Sequence, residues 1–308
     1  MDINQKIHFL ENVSLSSLST FNIGGKAKQF IRVSNPDELS EVVQWAKENN
    51  LEYEVFAGGS NVVFPDEGLA CLVIQVLGGN VQRQENKCMV DAGVLLMDVI
   101  NEAIKYGLSG LESLSGIPGT IGGAVVGNAG AYGHSISEVV EKAQVFNGEK
   151  IYWMTNSECE FDYRESIFKK NKLIILKVVC LFQKGNNEDL QKISREIIKM
   201  REKKYKPGLK CPGSFFKNVL VKYVSEKSLT LIDQSKIIDG KIPTGYLLSE
   251  VGARGMRVGG IQIADFHGNL FINTGGGTAR DVKELSSILK AKVKAKFGIE
   301  LEEEIRYF

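Results

Sequence analysis

After Leu18, the segment STFNIGGKAKQFIRV passes through Gly24-Gly25 into alternating apolar positions, which predicts a turn and then a strand ending near Val33. The period then changes. Leu39, Val42, Val43 and Ala46 recur at helical spacing behind Asn35, Pro36 and Glu38, which supply a cap, a first-turn proline and a capping-box acid, and Asn49-Asn50 closes the helix. A short strand around Val55-Phe56 leads into Gly58-Gly59-Ser60-Asn61 and a second apolar run. Residues 71–94 read as short strands, and Leu95, Leu96, Val99, Ile100, Ala103 and Ile104 as a helix stopped by Gly107. Beyond a glycine-rich stretch, VVEKAQVFNGEKIYWM predicts a β-hairpin with Asn147-Gly148 at its turn, and LIILKVVCLF a long apolar strand behind Arg164. This part of the chain is rich in strands and does not alternate as a βαβ sheet.

The helix Asn187–Lys204 is expected to bury Leu190, Ile193, Ile197 and Met200, and its basic end REKKYK reads as a domain junction or a solvated helix end. IPTGYLLSEVGARG predicts a short helix with glycine stops, and RVGGIQIADFHGNLFIN a strand, a turn and a strand. Thr278 and Asp281 cap a last helix that turns Val282, Leu285, Leu289, Val293 and Phe297 inward and stops at Gly298. LEEEIRYF then reads as a strand in which Glu303 faces opposite to Glu302 and Glu304.

Residues 107–133, GLSGLESLSGIPGTIGGAVVGNAGAYG, are the stretch around which the rest is organised. The glycines follow no three-residue period and are interleaved with Ile117, Ile121, Val125 and Val126, so collagen and flexible-linker readings both fail. A buried, tightly turning backbone fits. Such a path leaves amides that need partners, and a run of them aimed one way makes a nest for a phosphate or a polar heterocycle. Gly58-Gly59-Ser60-Asn61, at the end of a strand, has the same capacity, with Ser60 and Asn61 adding side-chain donors. Plain turns that bind nothing use the same letters. Gly58-Gly59-Ser60-Asn61 is neither a Walker motif nor a G-x-G-x-x-G turn, so a diphosphate held by two separated glycine-rich loops requires a different nucleotide fold.

Composition removes several classes. A net charge of +1 gives no electrostatic reason to expect nucleic acid or an anionic membrane as partner. No apolar run approaches the roughly 20 residues that span a bilayer, and MDINQKIHFLENV lacks the pattern of a signal peptide, so a cytoplasmic location is expected. Cys71, Cys88, Cys159, Cys180 and Cys211 are odd in number and scattered, which argues for small core residues over disulfides or zinc. With only His8, His134 and His267 besides, no metal site is expected.

Taken together, TFNIGGKA, GGSNVVFPDEG, SGIPGTIGGAVVGNAGAYG, DYRESIFK, GSFFKN, VGGIQIADFHGNLFINTGGGTARDV and LEEEIR resemble, in order and over nearly the whole chain, the UDP-N-acetylenolpyruvoylglucosamine reductase (UDP-N-acetylmuramate dehydrogenase, MurB) family. The resemblance implies an α+β architecture: a FAD-binding fold of the vanillyl-alcohol-oxidase/PCMH type in two subdomains (1–72 and 73–205), sandwiching FAD. A C-terminal α+β substrate-binding domain (206–308) covers the substrate. It implies FAD held by Gly58, Gly59, Ser60 and Asn61 and by Ser115, Gly116, Pro118, Gly119, Gly122, Gly123, Asn128 and Gly130. Arg164, Ser214 and Glu304 match the catalytic positions, and Tyr132, Lys204, Asn218 and His267 those that contact the sugar nucleotide. DYRESIFK runs almost directly into LIILKVV, so the chain resembles the shorter second type and lacks the insertion that carries a clamping tyrosine. Gly127 stands where a bulkier residue is common, and the chain stops at Phe308 without the usual short tail.

The implied reaction is the NADPH-dependent, FAD-mediated reduction of UDP-N-acetylglucosamine enolpyruvate to UDP-N-acetylmuramate in peptidoglycan precursor synthesis, by a monomer or weak oligomer. An arginine suits the carboxylate beside which charge develops, because its forked donors grip at two points. Arg164 takes that role with Glu304, and Ser214 donates the proton from the face opposite the flavin. Two other readings use the same residues: another flavin-dependent oxidase or dehydrogenase on the same scaffold, and a non-catalytic protein that binds a sugar nucleotide.

Overall fold

The structure, a computed structural model, describes residues 8–171 and 173–308. Residues 1–7, on which part of the expectation about a signal peptide falls, lie outside the described residues. The chain divides into two compact units. One takes in the described residues up to Val13, together with Ala27–Gly59 and Leu69–Lys203; the other comprises Ser14–Lys26, Ser60–Gly68 and Lys204–Phe308.

The first unit holds two larger sheets, besides two two-stranded pairs. In the first, Lys26–Val33 and Tyr53–Phe56 both pair in parallel with Leu69–Val76, and Leu10–Ser14 lies at the edge. Lys26–Val33 and Tyr53–Phe56, parallel strands on either side of Leu69–Val76, need a crossover between them, which the Pro36–Glu48 helix provides. Asn35 caps that helix by accepting the Glu38 N–H, but the Glu38 carboxylate reaches back to Ser34 N and Oγ, one residue beyond the expected capping box. Leu39, Val42, Val43 and Ala46 pack with Val33, Leu72 and Ile74 as the spacing predicts.

The second sheet is antiparallel, in the order Ile151–Thr155, Val140–Phe146, Ile174–Leu181, Lys87–Asp91, Val81–Gln84. Its hairpin is joined at residues 147–150, where the Asn147 carboxamide accepts the N–H groups of Glu149 and Lys150, both at 2.9 Å. The Leu96–Lys105 helix buries Val99, Ile100 and Ala103 in the same core as this sheet. The glycine-rich stretch also belongs to this core, and it contains a short helix, Ile121–Val126, where only turning backbone was expected. Thr120 caps it, its hydroxyl accepting the Gly123 N–H at 3.2 Å. The Asn187–Lys204 helix has the expected extent but not the expected face. Ile193 and Met200 are exposed, and Ser194 is buried beside Leu190 and Ile197, because its hydroxyl accepts a hydrogen bond from buried Ser115 at 2.8 Å.

The second unit is built round the Ala279–Phe297 helix. Thr278 and Asp281 form a full capping box, Gly298 closes the helix in the left-handed conformation at φ 67°, and Val282, Leu285, Leu289, Val293 and Phe297 are all buried. Against it pack Phe215, Phe216, Phe271 and the sheet Arg257–Val258, Ile261–Ile263, Phe271–Asn273. The last residues form a shorter strand than expected, Arg306–Tyr307, parallel to Val62–Val63. The cysteines are free, with Cys88, Cys159, Cys180 and Cys211 buried. Among the described residues, no helix is long and apolar enough to cross a membrane, and no group of His, Cys, Asp or Glu is placed to hold a metal ion.

Candidate active site

In the first unit the two glycine loops meet. Gly58 and Gly119 approach so closely that a Cβ on Gly58 would lie 2.9 Å from the Gly119 Cα. Gly59, Gly116 and Gly119 have φ of 63°, 75° and 113°, conformations that glycine alone adopts without strain. The amides divide into two groups. Gly122 N–H donates to Ala92 O and Gly123 N–H to the Thr120 hydroxyl that caps the short helix, so these two amides are spent within the fold. The N–H groups of Gly58, Gly59 and Gly119 take no partner among the described residues. Adjacent unspent donors on glycine backbone, with no side chain above them, suit a diphosphate, and the residues present therefore fit the anionic part of a dinucleotide such as FAD.

Side chains of this stretch are largely committed to holding it. Ser115 donates its hydroxyl to Ser194, and Asn128 donates to Asp162 O at 2.8 Å and accepts from Ser137 N, so both side chains are engaged in holding the loop. Arg164 occupies the turn Asp162–Glu165, closed by paired backbone bonds, at φ 56°. A β-unfavoured left-handed arginine persists only where its surroundings hold it. Here its Nη2 donates to Gly130 O at 2.7 Å and its Nη1 to Asn128 O at 3.5 Å. Arg164, Asn128 and Gly130 are thus brought together. Tyr132 follows at φ 53° and is half exposed.

In the second unit, Ser214 follows Gly213, whose φ is 88°, and bridges to Leu270. The Ser214 Oγ lies 2.9 Å from the Tyr205 Oη and accepts from the Lys204 Nζ at 3.5 Å. Residues 215–217 then pair with 302–304: Glu304 N–H donates to Phe215 O at 2.8 Å and Lys217 N–H to Glu302 O at 2.9 Å. Glu304 therefore lies directly across from the residue after Ser214.

Its neighbours fix that register. Glu302 pairs with buried Lys217, while Glu303 turns the other way to Ser286 and Lys290 on the long helix, as the alternation predicts. Burial raises the Glu303 carboxyl, but the bonds from Lys290 and Ser286 outweigh it and hold the group below its ordinary value. Asn61 contributes as well. Its carboxamide donates to Glu304 O at 3.1 Å and its main-chain carbonyl accepts from Arg306 N at 3.0 Å, so its side-chain donor, expected to serve a cofactor, holds the glutamate strand. Ser60 O accepts from Thr20 Oγ1 at 3.4 Å.

His267 belongs to the same unit. Burial, reinforced by Lys204 and Arg254, brings its pKa down to about 4, so it is neutral at physiological pH. Asn269 N–H donates to its Nδ1 at 3.2 Å, which leaves the proton on Nε2 as a donor. The Asn218 Oδ1 accepts from Thr244 N at 3.1 Å, tying it to the start of the Thr244–Glu250 helix. Sequence reasoning missed Asn269, which is buried and brackets Phe216 with two bonds, from Phe216 N to Oδ1 at 2.9 Å and from Nδ2 to Phe216 O at 2.8 Å. Its position in the His267-Gly268-Asn269 turn is the only signal, and turns use asparagine for many purposes.

The glycine-built amide cradle of the first unit fits an FAD-binding protein, and similarity to known proteins makes the chain an FAD-dependent oxidoreductase. Residues 27–149 match the family model of the FAD binding domain, and residues 204–308 that of the UDP-N-acetylenolpyruvoylglucosamine reductase C-terminal domain. The chain is 40% identical to the UDP-N-acetylenolpyruvoylglucosamine reductase of Solibacter usitatus, over 95% of this chain and 94% of that one, and 32% identical to that of Alkaliphilus oremlandii, over 94% and 89%. The crystal structure of the reductase of the same name from Thermus caldophilus superposes with a TM-score of 0.75 at 29% identity, covering 98% of both chains. The chain belongs to the UDP-N-acetylenolpyruvoylglucosamine reductase family.

Proposed function

We propose that the chain reduces the enolpyruvyl ether of UDP-N-acetylglucosamine to the lactyl ether of UDP-N-acetylmuramate, in the cytoplasm, with Arg164, Ser214 and Glu304 as its catalytic residues. Family membership supports the reaction and its use of FAD and NADPH in peptidoglycan precursor synthesis. The observation that carries the residue roles is the backbone pairing that puts Glu304 across from Phe215, beside Ser214, although the two were read from separate motifs. FAD, held at Gly58, Gly59 and Gly119, would supply the hydride chemistry, with NADPH as the reductant.

The protein's own task is the charge left on the carbon beside the carboxylate. Arg164 grips that carboxylate through its forked donors, Glu304 orients the same region, and Ser214 gives its proton to the carbon. Lys204, the Nε2–H of His267, Asn218 and Tyr132 hold the sugar nucleotide. Gly58, Gly59 and Gly119 give their amides to the diphosphate of the cofactor, while Ser60, Ser115, Gly116, Pro118, Asn128 and Gly130 shape the path around it through their backbone. In this reading residues 1–72 and 73–205 are the flavin-binding subdomains, the second also supplying Tyr132, Arg164 and Lys204 to the substrate, and residues 206–308 are the substrate-binding domain.

Ser214→Ala tests the assignment. Reduction of the flavin by NADPH should be unchanged, and its reoxidation by substrate should slow by about 10²- to 10⁴-fold, the usual worth of a positioned acid. Equal slowing of both half-reactions would remove Ser214 from the role.

A further inference from the structure

A hydroxyl has one hydrogen to give and two lone pairs to receive. Ser214 uses its oxygen unusually fully. Lys204 can only donate, and it does so to the Ser214 Oγ at 3.5 Å; the Tyr205 Oη lies 2.9 Å from the same atom. When the tyrosine donates, both lone pairs of Ser214 are filled and its single hydrogen is left to be directed at a third group. That is the state a proton donor must hold.

The tyrosine is fixed in place. Its ring packs on the cluster of Cys211, Ala264 and Leu270, and Leu270 is the residue that bridges to Ser214, so ring and hydroxyl are anchored on the same short segment. The Lys204 ammonium lies 5.0 Å from the centre of the Tyr205 ring, on the adjacent residue.

We propose that Tyr205 is a positioning and proton-relay residue for Ser214, resting on the reading of Ser214 as the proton donor. The O–H bond of Ser214 breaks as the C–H bond forms at the carbon beside the substrate carboxylate. The electron pair left on the serine oxygen takes the Tyr205 proton, and the phenolate oxygen recovers a proton from water. A phenol is a far stronger acid than an aliphatic alcohol, so charge moves from the less stable oxygen to the more stable one, with the Lys204 cation beside it. Water is the net proton source, and no further reactant is needed.

The test uses the FAD-loaded enzyme and three variants, Tyr205→Phe, Ser214→Ala and the double variant, each followed anaerobically through its two half-reactions. Phenylalanine keeps the ring on its packing cluster. Tyr205→Phe is expected to leave two things unchanged: flavin reduction by NADPH, and binding of the enolpyruvyl sugar nucleotide to the oxidised enzyme. Reoxidation by that substrate should slow about tenfold or more, and the same change in the Ser214→Ala background should slow it no further. Reoxidation of Tyr205→Phe at the wild-type rate, or equal slowing with and without Ser214, overturns the proposal while leaving Ser214 in its role. A normal rate for Ser214→Ala overturns the reading of Ser214 and the proposal with it. As a second variant, 3-fluorotyrosine at position 205 keeps the shape and strengthens the acid; it should change the solvent isotope effect on reoxidation, and an unchanged effect overturns the relay.

Discussion

Adding one methyl group at Gly58 probes the flavin cradle without touching a charged or catalytic side chain. The new Cβ would meet Gly119 at its Cα, C and N at 2.9, 3.6 and 3.8 Å. Carbon atoms rest at about 3.5–4.0 Å, so the two loops must part by roughly 0.6–1 Å at their closest point. The obstacle is backbone on both sides, and no side chain can swing away. Gly58 does not have a positive φ, so torsional strain does not contribute, and the loss is that of overpacking, about 1–3 kcal/mol. For a unit of this size that lowers the melting temperature by roughly 2–12 °C. Parting the loops also displaces the amides of Gly58, Gly59 and Gly119, and loss of one charge-assisted bond, about 1.5–3 kcal/mol, weakens cofactor binding about tenfold or more. The assay is calorimetry of FAD-free protein, with flavin content read from absorbance. Gly123→Ala is the control for stability, since its Cβ would lie 3.5 Å from Thr120 Oγ1, an ordinary contact. Gly58→Ala protein that melts with the wild type and keeps its full flavin would refute the cradle.

Two further perturbations address other parts of the molecule. Ser194→Ala removes the acceptor of the buried Ser115 hydroxyl and should destabilise by about 1–3 kcal/mol, seen as a lower urea midpoint at unchanged slope; an unchanged midpoint contradicts the pairing. His267, held down to about 4 by burial, Lys204 and Arg254, should titrate near that value by NMR. Between pH 6.5 and 4 the unfolded chain holds the His267 proton and the folded chain does not, so its contribution to stability falls as pH falls through that window and changes no further below it. An imidazole midpoint at 6 or above contradicts the environment described.

The sequence was most legible where one signal repeated another. The last helix had its capping box, five apolar positions at one spacing and a glycine stop, and each is found in place. The Asn187–Lys204 helix had a correct extent but a misjudged face, because apolar spacing pointed to Ile193 and Met200, and Ser194 is buried only through its partner Ser115, a residue from a distant part of the chain. Gly122-Gly123 hid the Ile121–Val126 helix, since two glycines in a six-residue run remove its helix propensity; the Thr120 cap was the sole local clue. Candidate chemistry was readable because the motifs carry it in their residue types. What they could not convey was how side chains are used: Asn61 is bound to the Glu304 carbonyl and Arg164 to the Asn128 and Gly130 carbonyls, partners distant in sequence, while Tyr205 meets Ser214 through the local fold of the chain between them.

The central claim, a flavin that carries hydride from NADPH to an enolpyruvyl sugar nucleotide, is tested most directly by the absorption spectrum of the freshly purified protein under anaerobic conditions. The spectrum should be that of oxidised flavin, bleach on addition of NADPH and return on addition of UDP-N-acetylglucosamine enolpyruvate. A flavin that bleaches and returns only with oxygen, or protein that binds no FAD when it is supplied, would contradict the account.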